Sequence, residues 1–220
     1  MSFDHASNLI IQFAKAPIAG EVKTRLSPVL NPLQRLSIHC EMMAWVCANL
    51  HDVGCAVELW VAGNPNDAFI QGLQRRYRCT LQQQVGEDLG QRMANAILQG
   101  LRRYDRVLIV GSDCPFVDKD YLDSAFHQLQ YCDVVIGPAD DGGYVLLGLK
   151  QFHRQLFTGI DWGSAEVLQQ SKAAIARQQL SSHTLATLSD IDRPEDLPKL
   201  NNAKFPKPLR AFAQQNPERV

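Results

Sequence analysis

Three cationic residues and a glycine lie in one short loop near the beginning of the chain. Lys15, Lys23 and Arg25, with Gly20 between them, directly follow the apolar residues 8–14. Such a loop can present backbone N–H groups and cationic side chains to an anion. It matches neither a Walker A loop nor a dinucleotide-binding fingerprint. Because a single acidic residue lies within it, we expect the loop to bind phosphate rather than to be only a solvated surface.

A polar pair follows a second apolar run in the middle of the chain. Residues 107–110 read VLIV, and Gly111, Ser112 and Asp113 come directly after them. Such a run is typical of a strand that is buried on both faces. Since ligands of open parallel sheets bind beyond the carboxyl ends of the strands, Asp113 could hold a divalent cation and, through it, phosphate. The alternative is that Asp113 only caps a turn.

Two further acidic stretches lie later in the chain. Asp140 and Asp141 precede Gly142 and Gly143, in a pattern typical of a hairpin turn that also lets a ligand approach the backbone. Neighbours in an extended segment point to opposite faces, so we expect only one of the pair to face a pocket. Asp192 could cap a short helix or bind a metal.

The remaining candidate positions each have a structural alternative. Asp88 and Arg92 lie between a predicted strand and a predicted helix. Asp88 could cap that helix, or it could line a nucleotide pocket together with Arg92. Trp162 lies where the periodicity breaks, and it could face a substrate, although tryptophan more often packs in the interior.

Composition limits the classes of protein to consider. The chain has 220 residues, which fits one large domain. Its net charge is -1 and its pI is about 6.6. Without a basic stripe, nucleic acid is not an expected partner. We find neither a signal peptide nor a run long enough to span a membrane. The six cysteines form no CxxC pair, which favours a reduced, cytoplasmic protein.

Predicted strands and helices alternate almost throughout, which indicates an α/β fold, a three-layer α/β/α sandwich with a mostly parallel sheet. Helices are expected after Asn31, Asp67, Asp88, Asp118 and Ser164, and strands at residues 8–14, 55–62, 80–85, 107–110, 133–137, 145–149 and 183–188. Residues 133–149 suggest an antiparallel hairpin. We expect one domain over residues 1–202, followed by a tail, 203–220, that is loosely ordered up to the apolar residues 209–212.

All of the polar clusters follow predicted strands, so we expect them to converge on one edge of the sheet. Cations at one end and carboxylates at the other describe a nucleotide phosphate site that is bridged by a divalent metal ion.

Six short motifs in a fixed order carry a family resemblance. They lie at residues 13–26, 86–93, 111–115, 140–149, 161–163 and 190–197. Together they resemble a family of GT-A-fold transferases named for their association with radical-SAM and selenium-domain proteins. That family is similar to 2-phospholactate guanylyltransferase and to nucleotide-diphospho-sugar transferases. The resemblance covers about residues 9–200 and implies a Rossmann-like nucleotide-binding half, an acceptor half, and Mg²⁺ or Mn²⁺.

The resemblance also implies roles for individual residues. Lys15, Lys23 and Arg25 match the phosphate loop, Asp113 matches the metal aspartate, and Asp141 and Asp192 match acids on the acceptor side. The candidate residues are Lys15, Gly20, Lys23, Arg25, Asp88, Arg92 and Ser112 for the nucleotide; Asp113 and Asp192 for the metal; Asp141, Gly142, Gly143 and Trp162 for the acceptor; and Asp141, Lys23 and Arg25 for catalysis.

Three functions remain open at this point. The first is transfer of a nucleotidyl group from a nucleoside triphosphate to a small-molecule acceptor, and the second is glycosyl transfer from a nucleotide sugar. The third is non-catalytic nucleotide sensing by a decayed site. The cations of the first loop slightly favour a triphosphate, and the retained acids count against decay. The base, the sugar, the acceptor and the oligomeric state are not determined by the sequence.

Overall fold

A seven-stranded sheet forms the centre of the molecule. The computed structural model describes residues 7–215. Within this range the strands are β1 (Asn8–Lys15), β2 (Ala56–Ala62), β3 (Thr80–Gln83), β4 (Arg106–Gly111), β5 (Val134–Pro138), β6 (Tyr144–Leu149) and β7 (Ser182–Thr184). The helices are α1 (Pro32–His51), α2 (Ala68–Tyr77), α3 (Leu89–Leu101), α4 (Lys119–Gln128), α5 (Val167–Arg177) and α6 (Lys207–Phe212), and short 3-10 helices lie at Thr24–Leu26, Arg154–Phe157 and Pro194–Leu200.

The order of the strands is β3-β2-β1-β4-β6-β5-β7. All neighbouring pairs are parallel except those made by β6, which runs antiparallel to both β4 and β5. This arrangement confirms the mostly parallel sheet and the predicted hairpin. Because β6 reverses direction, the turn before it lies at the same edge as the carboxyl ends of β1 and β4.

Helices cover both faces of the sheet, as the three-layer prediction requires. Ile10 and Leu108 belong to a buried cluster with residues of α1 and α4. Their chain neighbours Leu9 and Val107 point to the other face and pack with residues of α3 and α5. Both β1 and β4 thus bury their two faces, which explains why they are apolar runs in the sequence.

Local capping explains where most helices begin. The Asn31 side chain accepts hydrogen bonds from the backbone N–H groups of Leu33 and Gln34, each at 3.0 Å. Asp88 and Asp118 cap α3 and α4 in the predicted way.

The prediction for the start of α5 was wrong. The helix begins at Val167, and the hydroxyl of Ser164 instead accepts from the N–H of Glu166, at 3.2 Å, in the preceding turn. A serine hydroxyl that bonds two residues ahead forms a turn in place of a helix cap.

The end of the described chain packs more closely than expected. Phe205 and Leu209 are buried in a cluster with Ile38 and Met42 of α1. The helix α1 is therefore covered by the sheet on one side and by this segment on the other, whereas Leu33 near its start is 71% exposed.

No helix within residues 7–215 combines the length and the apolar character that a membrane crossing requires. The expectation about a signal peptide depends in part on residues 1–6, which lie outside the described range.

Candidate functional site

Two adjoining cavities open at the edge where the polar segments were predicted to converge. The strand-end cavity, about 670 Å³, lies beyond the carboxyl ends of β1 and β4 and includes Lys15 and Asp113. The turn cavity, about 530 Å³, lies beside the β5–β6 turn and includes Asp141. Both volumes suit small-molecule ligands. The residues that line both are Arg25, Leu89, Trp162, Gly163, Asp190 and Asp192.

Most of the candidate residues lie in these cavities. Every candidate for the nucleotide or the metal lines the strand-end cavity except Gly20, which has a φ of 90° in a surface turn. Asp141, Gly143 and Trp162 line the turn cavity, and Gly142 does not. The structure therefore brings together the two groups of residues that the sequence assigned to the two halves of one site.

Lys23, which the resemblance assigns to the phosphate loop, is buried. It adopts a left-handed backbone conformation with φ of 50°. Its Nζ donates to the backbone oxygen of Ile191 at 2.6 Å and lies 2.6 Å from Asp113 Oδ1 and 4.0 Å from Asp192 Oδ1. The ammonium group thus lies between the two carboxylates that were predicted to bind a metal.

Asp113 remains accessible from the cavity, with its side chain 54% exposed. Desolvation raises the pKa of Asp113, but the charge of Lys23 and its hydrogen bond outweigh that effect and hold the pKa below its usual value. The carboxylate is therefore ionised near neutral pH.

Asp113 and Asp192 could supply two of the ligands of a magnesium ion, and a bound substrate would supply others. Within residues 7–215, no three His, Cys, Asp or Glu side chains converge as a metal-binding group. Magnesium is often held by one or two carboxylates together with substrate phosphates. Asp113 and Asp192 share one cation, the Lys23 ammonium, and can supply those two carboxylates.

Arg25 is also paired, again with an acid far away in the sequence. Its guanidinium lies 2.8 Å from Asp192 Oδ2. The cations of the loop are therefore balanced by acids from elsewhere in the chain, from the segment that follows β4 and from residues 190–192. Lys15 is exposed at the end of β1, and Arg92 uses its Nε to bond the Gly86 oxygen at 3.0 Å.

The Ser112 side chain links two strands. It is buried, its hydroxyl donates to the backbone oxygen of Phe13 at 2.9 Å, and it accepts from the Gln12 side chain at 3.0 Å. Both bonds fix the end of β4 against β1, so this side chain positions Asp113.

Both Asp140 and Asp141 line the turn cavity, which differs from the expectation that only one would. The two residues lie in the turn between β5 and β6, where the alternation of an extended strand does not apply. Asp140 bonds the Ser189 hydroxyl and lies 3.5 Å from Lys199 Nζ. Asp141 Oδ1 accepts from the Gly143 N–H at 2.9 Å.

Gly142 serves the packing of a neighbouring loop. It has a φ of 89°, and a Cβ at this position would clash with the backbone oxygen of Ala165. Residues 161–166 can therefore pack closely on the turn. Trp162, from the same loop, lies at the boundary between the two cavities and forms an edge contact with Tyr144, with ring centroids 6.4 Å apart.

The sequence analysis missed Asp190, which lines both cavities. Burial and then the nearby carboxylates of Asp141, Asp196 and Asp192 raise the pKa of Asp190 to about 6. The signal was present in the order Asp-Ile-Asp. Because Ile191 is fully buried, the acids on either side of it point together towards the cavities.

The fold is that of nucleotide-diphospho-sugar transferases and nucleotidyltransferases. A protein from Desulfovibrio desulfuricans G20, provisionally named a nucleotide-diphospho-sugar transferase, is 29% identical and superposes with a TM-score of 0.85, over 96% of this chain and 98% of that one. Residues 46–164 match the model of DUF2064, an uncharacterized protein family conserved in bacteria. The chain belongs to this family.

More distant structures share the fold. A CMP:2-keto-3-deoxy-manno-octonic acid synthetase complexed with CTP has a TM-score of 0.56 at 10% identity, over 88% of this chain and 96% of that chain. A 4-diphosphocytidyl-2C-methyl-D-erythritol synthase from Anaerococcus prevotii DSM 20548 has a TM-score of 0.58 at 11% identity, over 88% of this chain and 95% of that chain.

A curated relative carries an activity in its name. The 2-phospho-L-lactate guanylyltransferase of Methanothermobacter thermautotrophicus (strain Delta H) is 30% identical in an alignment of 138 residues that covers 58% of this chain and 56% of the relative. The match thus spans little more than half of the relative's length.

Proposed function

We propose that this protein is a nucleotidyltransferase that uses a nucleoside triphosphate, transfers the nucleotidyl group to a small acceptor and releases pyrophosphate. The observation that carries the proposal is the junction of the two cavities. The cationic side chains of Lys15 and Arg92 and the Asp113–Asp192 pair line one cavity, and Asp141 lines the other. The names of the guanylyltransferase relative and of the CTP-bound neighbour support a nucleotide donor.

The strand-end cavity would take the donor. Lys15 and the remaining N–H groups of Arg92, which line this cavity, would bind phosphate oxygens. Asp113 and Asp192 would hold Mg²⁺ or Mn²⁺, which when bound would offset the charge of the phosphates. Lys23 and Arg25 keep these two carboxylates in place.

The turn cavity would take the acceptor. Asp141 is exposed and would accept the proton of the attacking group, while Gly143 holds one of its oxygens. Trp162 would contact both ligands, because it lines both cavities.

A cytoplasmic location remains part of this proposal. All six cysteines are free, as is usual in reducing compartments.

Glycosyl transfer is the second candidate, since the Desulfovibrio protein with the same fold is provisionally named a nucleotide-diphospho-sugar transferase. Product analysis distinguishes the candidates. The protein is incubated with Mg²⁺ or Mn²⁺, a small-molecule extract as the source of acceptors, and either nucleoside triphosphates or nucleotide sugars.

Each outcome has a defined meaning. Pyrophosphate that is formed from a triphosphate supports nucleotidyl transfer, and a nucleoside diphosphate that is released from a nucleotide sugar supports glycosyl transfer. Nucleotide binding without turnover contradicts both and supports a sensing role. Asp113→Asn should abolish product formation, and the matched surface variant Asp120→Asn, on α4, should retain it.

A further inference from the structure

The turn cavity has an excess of negative charge, which restricts the acceptor. Five aspartates line it against two guanidinium groups, and the cavity is also walled by Tyr144 and Trp162. The aspartates are Asp140, Asp141, Asp190, Asp192 and Asp196, and the guanidinium groups are those of Arg25 and Arg193.

Three of these carboxylates already have strong partners. Asp192 pairs with Arg25 at 2.8 Å. Asp196 pairs with Lys199 at 2.9 Å and also accepts two backbone N–H groups. Asp140 bonds the hydroxyl of Ser189. These three side chains are therefore largely satisfied within the protein.

Asp141 and Asp190 have fewer partners within the protein than the other three aspartates. Among the described residues, Asp141 receives one backbone N–H, from Gly143, and Asp190 receives no side-chain hydrogen bond or ion pair. A carboxylate oxygen accepts hydrogen bonds, so both side chains can take donors from a ligand. A metal ion bound by the protein alone is not the expected partner, because no three acidic, His or Cys side chains within residues 7–215 converge on one point.

The rest of the cavity suits a ring that carries polar groups. Trp162 and Tyr144 meet edge to face, with ring centroids 6.4 Å apart, and Leu89 and Met93 add apolar surface. An apolar wall with a few converging polar groups is typical of small-molecule sites, and the volume of about 530 Å³ is sufficient for a sugar.

We infer that the acceptor is an uncharged or cationic molecule with several hydroxyl or amino groups, such as a polyol, a sugar or an amino sugar, and that it is not a phosphorylated carboxylic acid. This inference rests on the proposed function. It separates the chain from the guanylyltransferase named for 2-phospho-L-lactate, because the excess of carboxylates repels an anion with a phosphate and a carboxylate.

The transfer balances with the groups present. An acceptor hydroxyl oxygen forms a bond to the α-phosphorus, and the bond from that phosphorus to the bridging oxygen breaks. The bond electrons leave with pyrophosphate, and the hydroxyl proton passes to Asp141.

Binding of acceptors tests the inference. Wild-type protein that is saturated with a non-hydrolysable triphosphate and Mg²⁺ is titrated with D-glucose, myo-inositol, D-glucosamine, 2-phospholactate and phosphoenolpyruvate. We expect at least one hydroxyl-rich or amino compound to bind more tightly than both anions. Asp141→Asn and Asp190→Asn should each weaken that compound about tenfold, the usual scale for loss of a charged hydrogen bond, and Asp120→Asn should not.

Three results would overturn the inference: tighter binding of either anion, no binding of any hydroxyl-rich or amino compound, or unchanged binding in both cavity variants. The triphosphate is titrated separately. If it binds and an anionic acceptor is preferred, only the acceptor class is wrong, whereas failure of the triphosphate to bind contradicts the proposed function itself.

Discussion

The Lys23 ammonium lies 2.6 Å from Asp113 Oδ1 and at the same time donates a hydrogen bond of 2.6 Å to the backbone oxygen of Ile191. The backbone N–H of Ile191 in turn donates to the backbone oxygen of Asp113 at 2.9 Å. Lys23 thereby joins the first loop, the end of β4 and residues 190–192. This one side chain therefore holds together the first loop and residues 190–192, which both line the strand-end cavity.

This arrangement predicts unequal effects for two cations of the same loop. Lys23→Met should lower the free energy of unfolding by about 2 kcal/mol, because it leaves the Ile191 oxygen without its charged donor. Arg25→Met should cost less than about 1 kcal/mol, since the Arg25 side chain is 54% exposed and its ion pair is hydrated. Urea denaturation measures both. A cost for Arg25→Met that equals or exceeds that of Lys23→Met would contradict the role of Lys23.

The buried imidazole of His39 predicts a dependence of stability on pH. Burial lowers the pKa of His39, although the charge of Asp113 and the Lys15 backbone oxygen oppose this effect. An unfolded histidine binds a proton below about pH 6.5. The unfolded state therefore gains protons first, and stability should fall as the pH drops through this region.

His39→Gln tests this dependence. Unfolding free energies of the wild type and the variant are compared between pH 7.5 and pH 5, a range chosen around the ordinary histidine value of about 6.5. The variant should lose less stability than the wild type as the pH falls. If the unfolding free energies of the two proteins fall equally with pH, His39 does not contribute to the pH dependence of stability.

Gly142 and Gly159 form a matched pair with positive φ angles. A Cβ on Gly142 would meet the Ala165 oxygen, whereas a Cβ on Gly159 meets nothing within 4 Å. Gly159→Ala should cost about 1 kcal/mol through backbone strain alone. Gly142→Ala should cost more and should also displace the loop that carries Trp162. Urea denaturation measures the loss of stability, and acceptor binding reports on the loop. Equal stability and equal acceptor binding in the two variants would contradict the role of Gly142 in packing the loop.

Asp141 and Asp140 should contribute differently to turnover. Asp141→Ala should reduce turnover by about 10²-fold, the usual scale for loss of a general base, with little change in donor binding. Asp140→Ala should be milder, because Asp140 is already engaged by Ser189 and Lys199. Steady-state kinetics with the donor varied distinguish the two. Similar losses in both variants, or loss of donor binding in Asp141→Ala, would argue against Asp141 as the base.

The sequence predicts features that depend on near neighbours. The apolar runs of β1 and β4, the hairpin of β5 and β6, and the helix caps Asn31, Asp88 and Asp118 are all local, and the structure confirms them. The edge on which the polar clusters meet follows from strand direction alone.

Features that depend on distant contacts could not be predicted in this way. The pairing of Lys23 with Asp113 and with the Ile191 oxygen was not predicted, because these partners lie far along the chain. The reason for a glycine at position 142 is the Ala165 backbone, which approaches only in the folded state. Asp140 faces the cavity because a turn replaced the extended geometry that was assumed.

The central claim is that Asp113 lies at a metal-dependent site for a nucleoside triphosphate. Isothermal titration of the wild type and of Asp113→Asn with CTP and with GTP, each with and without Mn²⁺, tests it most directly. We predict that at least one triphosphate binds the wild type with Mn²⁺ present, and that omitting Mn²⁺ or introducing Asp113→Asn weakens binding at least about tenfold, or about 1.4 kcal/mol. Binding that is as tight without Mn²⁺, or as tight in Asp113→Asn, would contradict the account.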